Sequence, residues 1–409
     1  SGHAAVITAL KAAGANVNKP KDSKTPVYIA AENGHAEAIR ALKAADANVD
    51  TPDKDGETPV WVAARSGHAA VITALKAAGA NVNTLCTCQY SDGKSRNRTL
   101  CTPVWIAAKN GHAEAIRALK AAGANVDTPD KGAGVTPVFI SAYFGHAEAI
   151  HALKASGANV DMSRGDGVTP VSIAAANGEA AAIAALHAVG VNVNTPDNNG
   201  KTPVYIAAQR GRAKAITALK VAGANVDTPD KDGKTPLYIA VEHNRAEVIT
   251  ALLNAGADAS IKTSSWWGTT ALEKAKEKVK EYEKLRTGQH DSFGKEAIAG
   301  YREVIRLLEA HFKQYPKGVK PLATMNAGLV LSIKSSNASE QKGPPVLAQF
   351  NHSSISSSSS QKGQGDTCSA SRPAAGLIEA IKQNNQEEVF RLLALKTDHS
   401  GKKFIDEVD

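Results

Sequence analysis

The sequence predicts an all-α solenoid, in which short helix pairs stack side by side and protruding β-turn fingers join one pair to the next. Three observations lead to this fold class. A unit of about 33 residues repeats along the chain, and each unit holds two short apolar runs at helical spacing. Aromatic residues make up only 5% of the 409 residues. A chain so poor in large side chains suits thin stacked layers better than one compact core.

Each unit opens with a Thr-Pro or Thr-Ala pair. These pairs begin at Thr25, Thr58, Thr102, Thr136, Thr169, Thr202, Thr235 and Thr270. The spacings are 33 to 35 residues except for one of 44, which is a 33-residue unit with 11 extra residues. The threonine can cap a helix, and proline suits the first helical turn because its missing N–H costs nothing there.

The first unit shows how the helix pair arises. An apolar run follows Pro26 and ends at Gly34, which tolerates the left-handed conformation. A second helix begins near His35 and carries Ile39 and Leu42 at helical spacing. A turn-rich finger over 51–56 then leads to the next unit. Neither helix is stable alone at this length, so the units must stack.

The recurring pattern Asp-x-x-Gly-x-Thr-Pro-x-x-x-Ala-Ala-x-x-Gly-His, followed by Gly-Ala-Asn-Val-Asp or Gly-Ala-Asn-Val-Asn, closely resembles the ankyrin repeat. The resemblance covers roughly the first 312 residues. It implies a curved stack of helix pairs that binds proteins. One position departs from the family, because its usual histidine is replaced. The replacements are Tyr28, Trp61, Trp105, Phe139, Ser172, Tyr205 and Tyr238. We interpret them as a ladder packed between repeats, with a partner-binding ladder as the alternative.

The pattern divides the chain into segments. Residues 1–24 form a partial repeat, 25–269 seven repeats, and 270–313 a modified capping repeat with a charged insertion over about 276–298. Residues 314–373 are rich in Ser, Gln and Gly and predict a disordered linker. Residues 374–409 read as the helical start of a second array. The chain begins and ends in mid-pattern, so we expect a fragment.

The sequence predicts no enzyme, no cofactor and no metal site. Cys86, Cys88 and Cys101 offer three thiolates to zinc, but no fourth ligand stands out, and we interpret the insertion that carries them as a loop. The histidines after glycine recur at one position of the repeat, which indicates a structural role. No nucleophile motif or phosphate loop is present.

The formal net charge of +8 is spread thinly along the chain. Lysines at one position of the second helix form an outer row. They are Lys43, Lys76, Lys120, Lys154 and Lys220. We interpret the row as a solvated face, with an acidic partner or nucleic acid as the alternative. No apolar run approaches the length of a membrane span.

Variable positions indicate where a partner binds, because packing fixes the others. By family resemblance these positions lie on the concave side. Tyr143 and Phe144 place aromatics where other repeats are polar or small, and Trp266 and Trp267 do so in the last finger. Arg65, Lys109 and Arg210 are expected to surround the first pair, since aromatics beside arginine are typical of binding hot spots. Packing within the chain is the alternative for both pairs.

These features predict a non-catalytic scaffold or adaptor that binds a protein through the concave face of a monomeric array. An alternative is a targeting or regulatory region of a larger enzyme whose catalytic domain lies outside this chain. Nucleic-acid binding through the lysine row is a third hypothesis. The low cysteine content, four in 409 residues, favours an intracellular, cytoplasmic location.

Overall fold

The computed structural model describes residues 4–91, 96–264, 268–285 and 292–319, with side chains left out for 88–98, 285, 292 and 293. Within these residues the chain forms two layers of α-helices and one β-hairpin. The first helices of the repeats are α2 (Pro26–Glu32), α4 (Pro59–Ser66), α6 (Pro103–Lys109), α8 (Pro137–Tyr143), α10 (Pro170–Asn177), α12 (Pro203–Arg210), α14 (Pro236–Glu242) and α16 (Ala271–Leu285). The second helices are α1 (Ala4–Ala12), α3 (Ala36–Ala44), α5 (Ala69–Ala77), α7 (Ala113–Ala121), α9 (Ala147–Ala155), α11 (Ala180–Ala188), α13 (Ala213–Val221), α15 (Ala246–Asn254) and α17 (Ser292–Gln314).

The helices stack in sequence order. Each first helix packs against the first helix of the next repeat, and each second helix does the same in the other layer. The two helices of each complete repeat also pack against each other. One continuous apolar core of small and branched side chains therefore runs through the array. The predicted all-α solenoid is confirmed.

The threonine that opens a repeat caps its first helix. In α2 the Thr25 hydroxyl accepts the Tyr28 N–H at 3.2 Å, and the same bond recurs in α4 to α14. The residue that donates this N–H is the one at which the sequence departs from the family. Its side chain is buried in every one of these repeats, at most 6% exposed. This burial supports the interpretation of a packed ladder.

Hydrogen bonds from backbone N–H groups to side-chain oxygens also tie consecutive repeats together. A side-chain Asn or Asp oxygen at the end of one repeat accepts a backbone N–H of the following repeat. The donor and acceptor residues are Asn48 and Asn18, Asn81 and Asp50, Asn125 and Asn83, Asn159 and Asp127, Asn225 and Asn194, and Asp258 and Asp227. Each of these bonds satisfies a backbone group that the loop leaves unpaired.

The insertion before Thr102 is a β-hairpin, not the loop that the sequence suggested. Strands β1 (Cys86–Ser91) and β2 (Arg96–Cys101) pair antiparallel, with Cys86 opposite Cys101 at the base. The side chains of both cysteines are buried. The Leu100 carbonyl accepts the Lys131 N–H at 3.0 Å, which fixes the hairpin to the following finger.

The last helix pair differs from the other repeats in length. α16 and α17 have 15 and 23 residues, and they contain most of the charged segment that the sequence marked as an insertion. Thr270 and Glu273 form a reciprocal capping box at the start of α16. Lys276 pairs with Glu309 at 2.8 Å between the two helices. The predicted linker and second array lie almost wholly outside the described residues and stay predictions.

Candidate functional site

The candidate site is a surface that we call the finger face. It consists of the residue directly before each Thr-Pro pair and the two residues at the end of each first helix. The first helix is short, so a side chain before its cap can reach the side chain eight positions later. The Lys24–Glu32 pair, 2.8 Å between Nζ and Oε1, shows that these positions are neighbours.

In the second repeat the charged side chains of the finger face are paired with one another in a network. Arg65 contacts Glu57 at 2.8 Å and Glu32 at 3.7 Å, and its guanidinium lies 5.2 Å from the centre of the Trp61 ring. The Tyr28 hydroxyl donates to Glu57 at 3.0 Å. Burial raises the pKa of Glu57, while Arg65 and Tyr28 act in the opposite direction. Arg65 is therefore held by groups of the chain itself.

In the seventh repeat, at the other end of the finger face, the charges are also paired within the chain. Lys234 contacts Glu242 at 3.1 Å, which repeats the pairing of a residue before Thr-Pro with one eight positions later. Burial lowers the pKa of Lys234, but the hydrogen bond and the charge of Glu242, together with Tyr238 and Asp230, raise it by more, so the pKa is raised overall. The first two repeats and the seventh thus carry internally paired charges.

The middle of the finger face is apolar instead. Cys101, Val135 and Val168 take the place of the charged residue before Thr-Pro. Tyr143 and Phe144 contact each other edge to face, with ring centroids 4.9 Å apart. Phe144 is 38% exposed, and among the described residues it is the exposed large aromatic side chain. Its ring stacks on His146 at 6.2 Å.

Tyr143 has a structural role beside its exposed edge. Its side chain is half-buried against the core, and its carbonyl accepts the Asn177 side-chain N–H at 2.9 Å. Tyr143 is thus held by packing and by this hydrogen bond, whereas Phe144 is exposed to solvent.

The structure does not gather all the residues expected around this pair. Lys109 ends α6, which packs directly against α8 and its aromatic pair. Arg65 on α4 and Arg210 on α12 are each separated from α8 by one intervening first helix. Trp266 and Trp267 lie outside the described residues, so their role stays a prediction.

The recurrent histidines link neighbouring repeats, in line with the structural role that their repetition indicated. The Nε2 atoms of His68, His112 and His146 lie 3.1, 3.0 and 2.9 Å from a backbone carbonyl of the preceding repeat. Each ring lies against the left-handed glycine that ends the preceding first helix. From the fifth repeat onward Glu179, Arg212 and Arg245 occupy this position. The sequence analysis did not single out this change.

Two further features bear on alternative functions. The lysine row lies on the second helices, away from the finger face, and its side chains are exposed except for the half-buried Lys220. Within the described ranges, no three His, Cys, Asp or Glu side chains are grouped to hold a metal ion. Cys88 lies outside the described side chains.

None of the helices in the described part of the chain has the length and apolar character needed to cross a membrane.

Comparison with known proteins gives a consistent result for the repeats. The family described as "Ankyrin repeats (3 copies)" matches residues 1–86, 84–164, 139–230 and 171–263, which together span more than half of the chain. No curated protein matches the chain. Among solved structures, the human ASB11 ankyrin repeat domain is similar at 26% identity and a TM-score of 0.47, over 57% of this chain and 98% of that one. The ankyrin repeat domain of Bcl-3, a member of the IkappaB family, is similar at 22% identity and a TM-score of 0.47, over 57% and 99%.

Proposed function

The chain belongs to the ankyrin-repeat family, whose repeats are generally protein–protein interaction modules, and from this premise we propose that it is a non-catalytic scaffold or adaptor. It binds its protein partner through the finger face, which is the concave face of the array. The partner sits over the central repeats, with Tyr143 and Phe144 at the middle of the contact. The exposure of Phe144 in the fourth repeat, while the first, second and seventh repeats have internally paired charges, is the observation that carries this proposal.

The energetics favour the centre over the ends. A partner that covers the paired charges of the end repeats must desolvate them. Charges that already have a counterion contribute little to the free energy of binding. A partner that covers Phe144 buries apolar surface without breaking an ion pair. Aromatic side chains at the centre of an interface typically contribute about 2 kcal/mol or more. Lys109, on the adjacent helix, is placed to contact an acidic residue at the rim.

Affinity capture with the full chain tests the proposal. The comparison uses the chain, its Phe144→Ala variant and a Val221→Ala control, because Val221 is 55% exposed but lies on the second helix α13. A bound protein is identified by mass spectrometry and its Kd is then measured with each variant. We expect Phe144→Ala to weaken binding by about thirtyfold, equivalent to about 2 kcal/mol, and Val221→Ala to leave it unchanged. Equal affinity of all three chains for the partner would contradict a binding site centred on Phe144.

We also propose that the chain is an intracellular, cytoplasmic monomer. Cys86 is a buried free thiol, a state that a reducing compartment maintains. A fluorescent fusion seen in the secretory pathway would contradict this location. Sedimentation of the purified chain at a mass well above 42.5 kDa would contradict the monomer.

A further inference from the structure

A basic depression lies on the array at the sixth and seventh repeats, beyond the aromatic pair. It has a volume of about 460 Å³ and is lined by Gln209, Arg210, Arg212, His243 and Arg245. Arg210 and His243 lie at the ends of two consecutive first helices, and Arg212 and Arg245 directly precede the second helices of the same repeats. Stacking of two repeats thus brings the guanidinium group of Arg245 beside those of Arg210 and Arg212 in the preceding repeat.

The three arginines differ from the others in having no carboxylate partner. Where the structure describes an arginine side chain, it contacts a carboxylate within 4.0 Å in every case outside the depression: Arg40, Arg65, Arg117, Arg164, Arg302 and Arg306. Arg210, Arg212 and Arg245 make no such contact with a described residue. Three unpaired arginines in one depression leave a strong local positive potential.

The acidic groups nearby do not neutralise this potential. Glu242 precedes His243 but is held by Lys234 at 3.1 Å. Glu247 lies in the first turn of α15 and does not line the depression. The first turn of α13 contains no acidic residue, and Lys214 adds another positive charge there.

Two of the arginines are fixed in position by the stack. The Nε of Arg212 donates to the Ala176 carbonyl at 3.1 Å, as the histidines of earlier repeats contact their neighbours. Arg245 lies against Gly211, so closely that a Cβ there would be 3.3 Å from its Cδ. Because the aliphatic parts of these side chains are already held in place, they lose less conformational entropy when they bind an anion. Arg210 is exposed and free to complete the contact.

We propose that this depression binds a phosphoryl group carried by a side chain of the protein partner. A carboxylate would neutralise one of the three charges, whereas a phosphoryl group carries a charge of about −1.5 to −2 and three acceptor oxygens. Planar guanidinium groups suit such an oxyanion because they donate two parallel hydrogen bonds. The inference rests on the proposed function only in that the phosphorylated segment belongs to a protein.

A nucleic acid fits this surface less well. Binding to a phosphate backbone needs several phosphate contacts along a track. On the finger face Lys24, Arg65 and Lys234 are paired with carboxylates, and Lys201 lies over the Tyr205 ring at 5.6 Å, so these side chains do not form a continuous track of unpaired charges with the depression. A single phosphorylated side chain needs only the local cluster.

Binding of short labelled peptides to the full chain tests this inference. The probes share one neutral sequence with a central serine, phosphoserine, phosphothreonine, phosphotyrosine or glutamate, and Kd is measured by fluorescence anisotropy. We expect the best phosphopeptide to bind at least about tenfold more tightly than the serine and glutamate peptides, as charge-assisted hydrogen bonds imply. Arg210→Gln and Arg245→Gln should each weaken that binding by about tenfold. Lys76→Gln, which removes one charge from the lysine row, should leave it unchanged.

The choice of variants keeps folding and binding apart. Arg212 is left intact because it bonds to the preceding repeat, and Arg210 is exposed, so its replacement leaves the stack unaltered; circular dichroism checks this. Equal affinity for phosphorylated and unphosphorylated peptides would overturn the proposal, as would an equal loss with Lys76→Gln. Tighter binding of inorganic phosphate or of a single-stranded oligonucleotide than of every phosphopeptide would also overturn it. Phe144→Ala does not alter these peptide affinities, so failure of the central site would be seen separately.

Discussion

Replacement of Trp105 by phenylalanine, compared with the same change at Trp61, tests the ladder of buried side chains between repeats. The two tryptophans occupy equivalent positions in adjacent repeats and are 0% and 2% exposed. The Trp105 Nε1–H donates to the Val135 carbonyl at 2.9 Å. The Trp61 Nε1–H is buried and has no acceptor among the described residues. Comparison of the two substitutions therefore separates the effect of losing a hydrogen bond from the effect of a smaller ring.

The expected difference follows from these contacts. Loss of ring volume costs about the same in both variants, so this cost cancels in the comparison. Trp105→Phe also loses a hydrogen bond, worth about 1 kcal/mol, although Val135 keeps its bond from the Asp130 N–H. Trp61→Phe removes a buried unpaired donor, which relieves about 1–3 kcal/mol. We expect Trp105→Phe to be less stable than Trp61→Phe by about 2 kcal/mol or more.

The assay is urea unfolding followed by circular dichroism at 222 nm, because the substitutions alter tryptophan fluorescence. A repeat array can unfold in parts, so hydrogen exchange of α4 and α6 should report the loss locally. Equal free energies of unfolding in the two variants, or a larger loss in Trp61→Phe, would refute the reasoning.

Two other predictions concern the bonds between repeats. Burial raises the pKa of Asp227, so its contribution to stability falls as the pH rises above the usual aspartate value of 3.8. Asp227→Asn should keep the bond to the next repeat, as Asn194 does, and flatten the dependence of Tm on pH; an unchanged slope would count against it. Gly67→Ala and Gly56→Ala should each cost about 1 kcal/mol of stability, because both glycines have a left-handed backbone. Gly67→Ala should cost more, because its added Cβ would lie 2.8 Å from the His112 ring, whereas a Cβ at Gly56 would meet no atom. Equal losses in urea unfolding would contradict the ring contact.

The finger face was only partly predictable from the sequence. The aromatic pair stands out because Tyr143 and Phe144 break a polar repeat pattern. The pairing of Arg65 with Glu57 depends on a contact across the first helix, and a pattern of variable positions does not reveal whether a charge is already satisfied. The basic depression was missed apart from Arg210, because it combines the end of one first helix with the position before two second helices, where earlier repeats carry histidine.

The sequence alone determined the fold class and the caps of the first helices from Thr25 to Thr235. These follow from local rules, since a Thr-Pro pair, a glycine and apolar spacing act within one unit. The tertiary structure decided which side chains of different repeats meet. It turned the insertion into a hairpin through strand pairing, and it brought Arg210, Arg212 and Arg245 into one depression. Contacts between repeats depend on how rigid layers stack, which no single unit encodes.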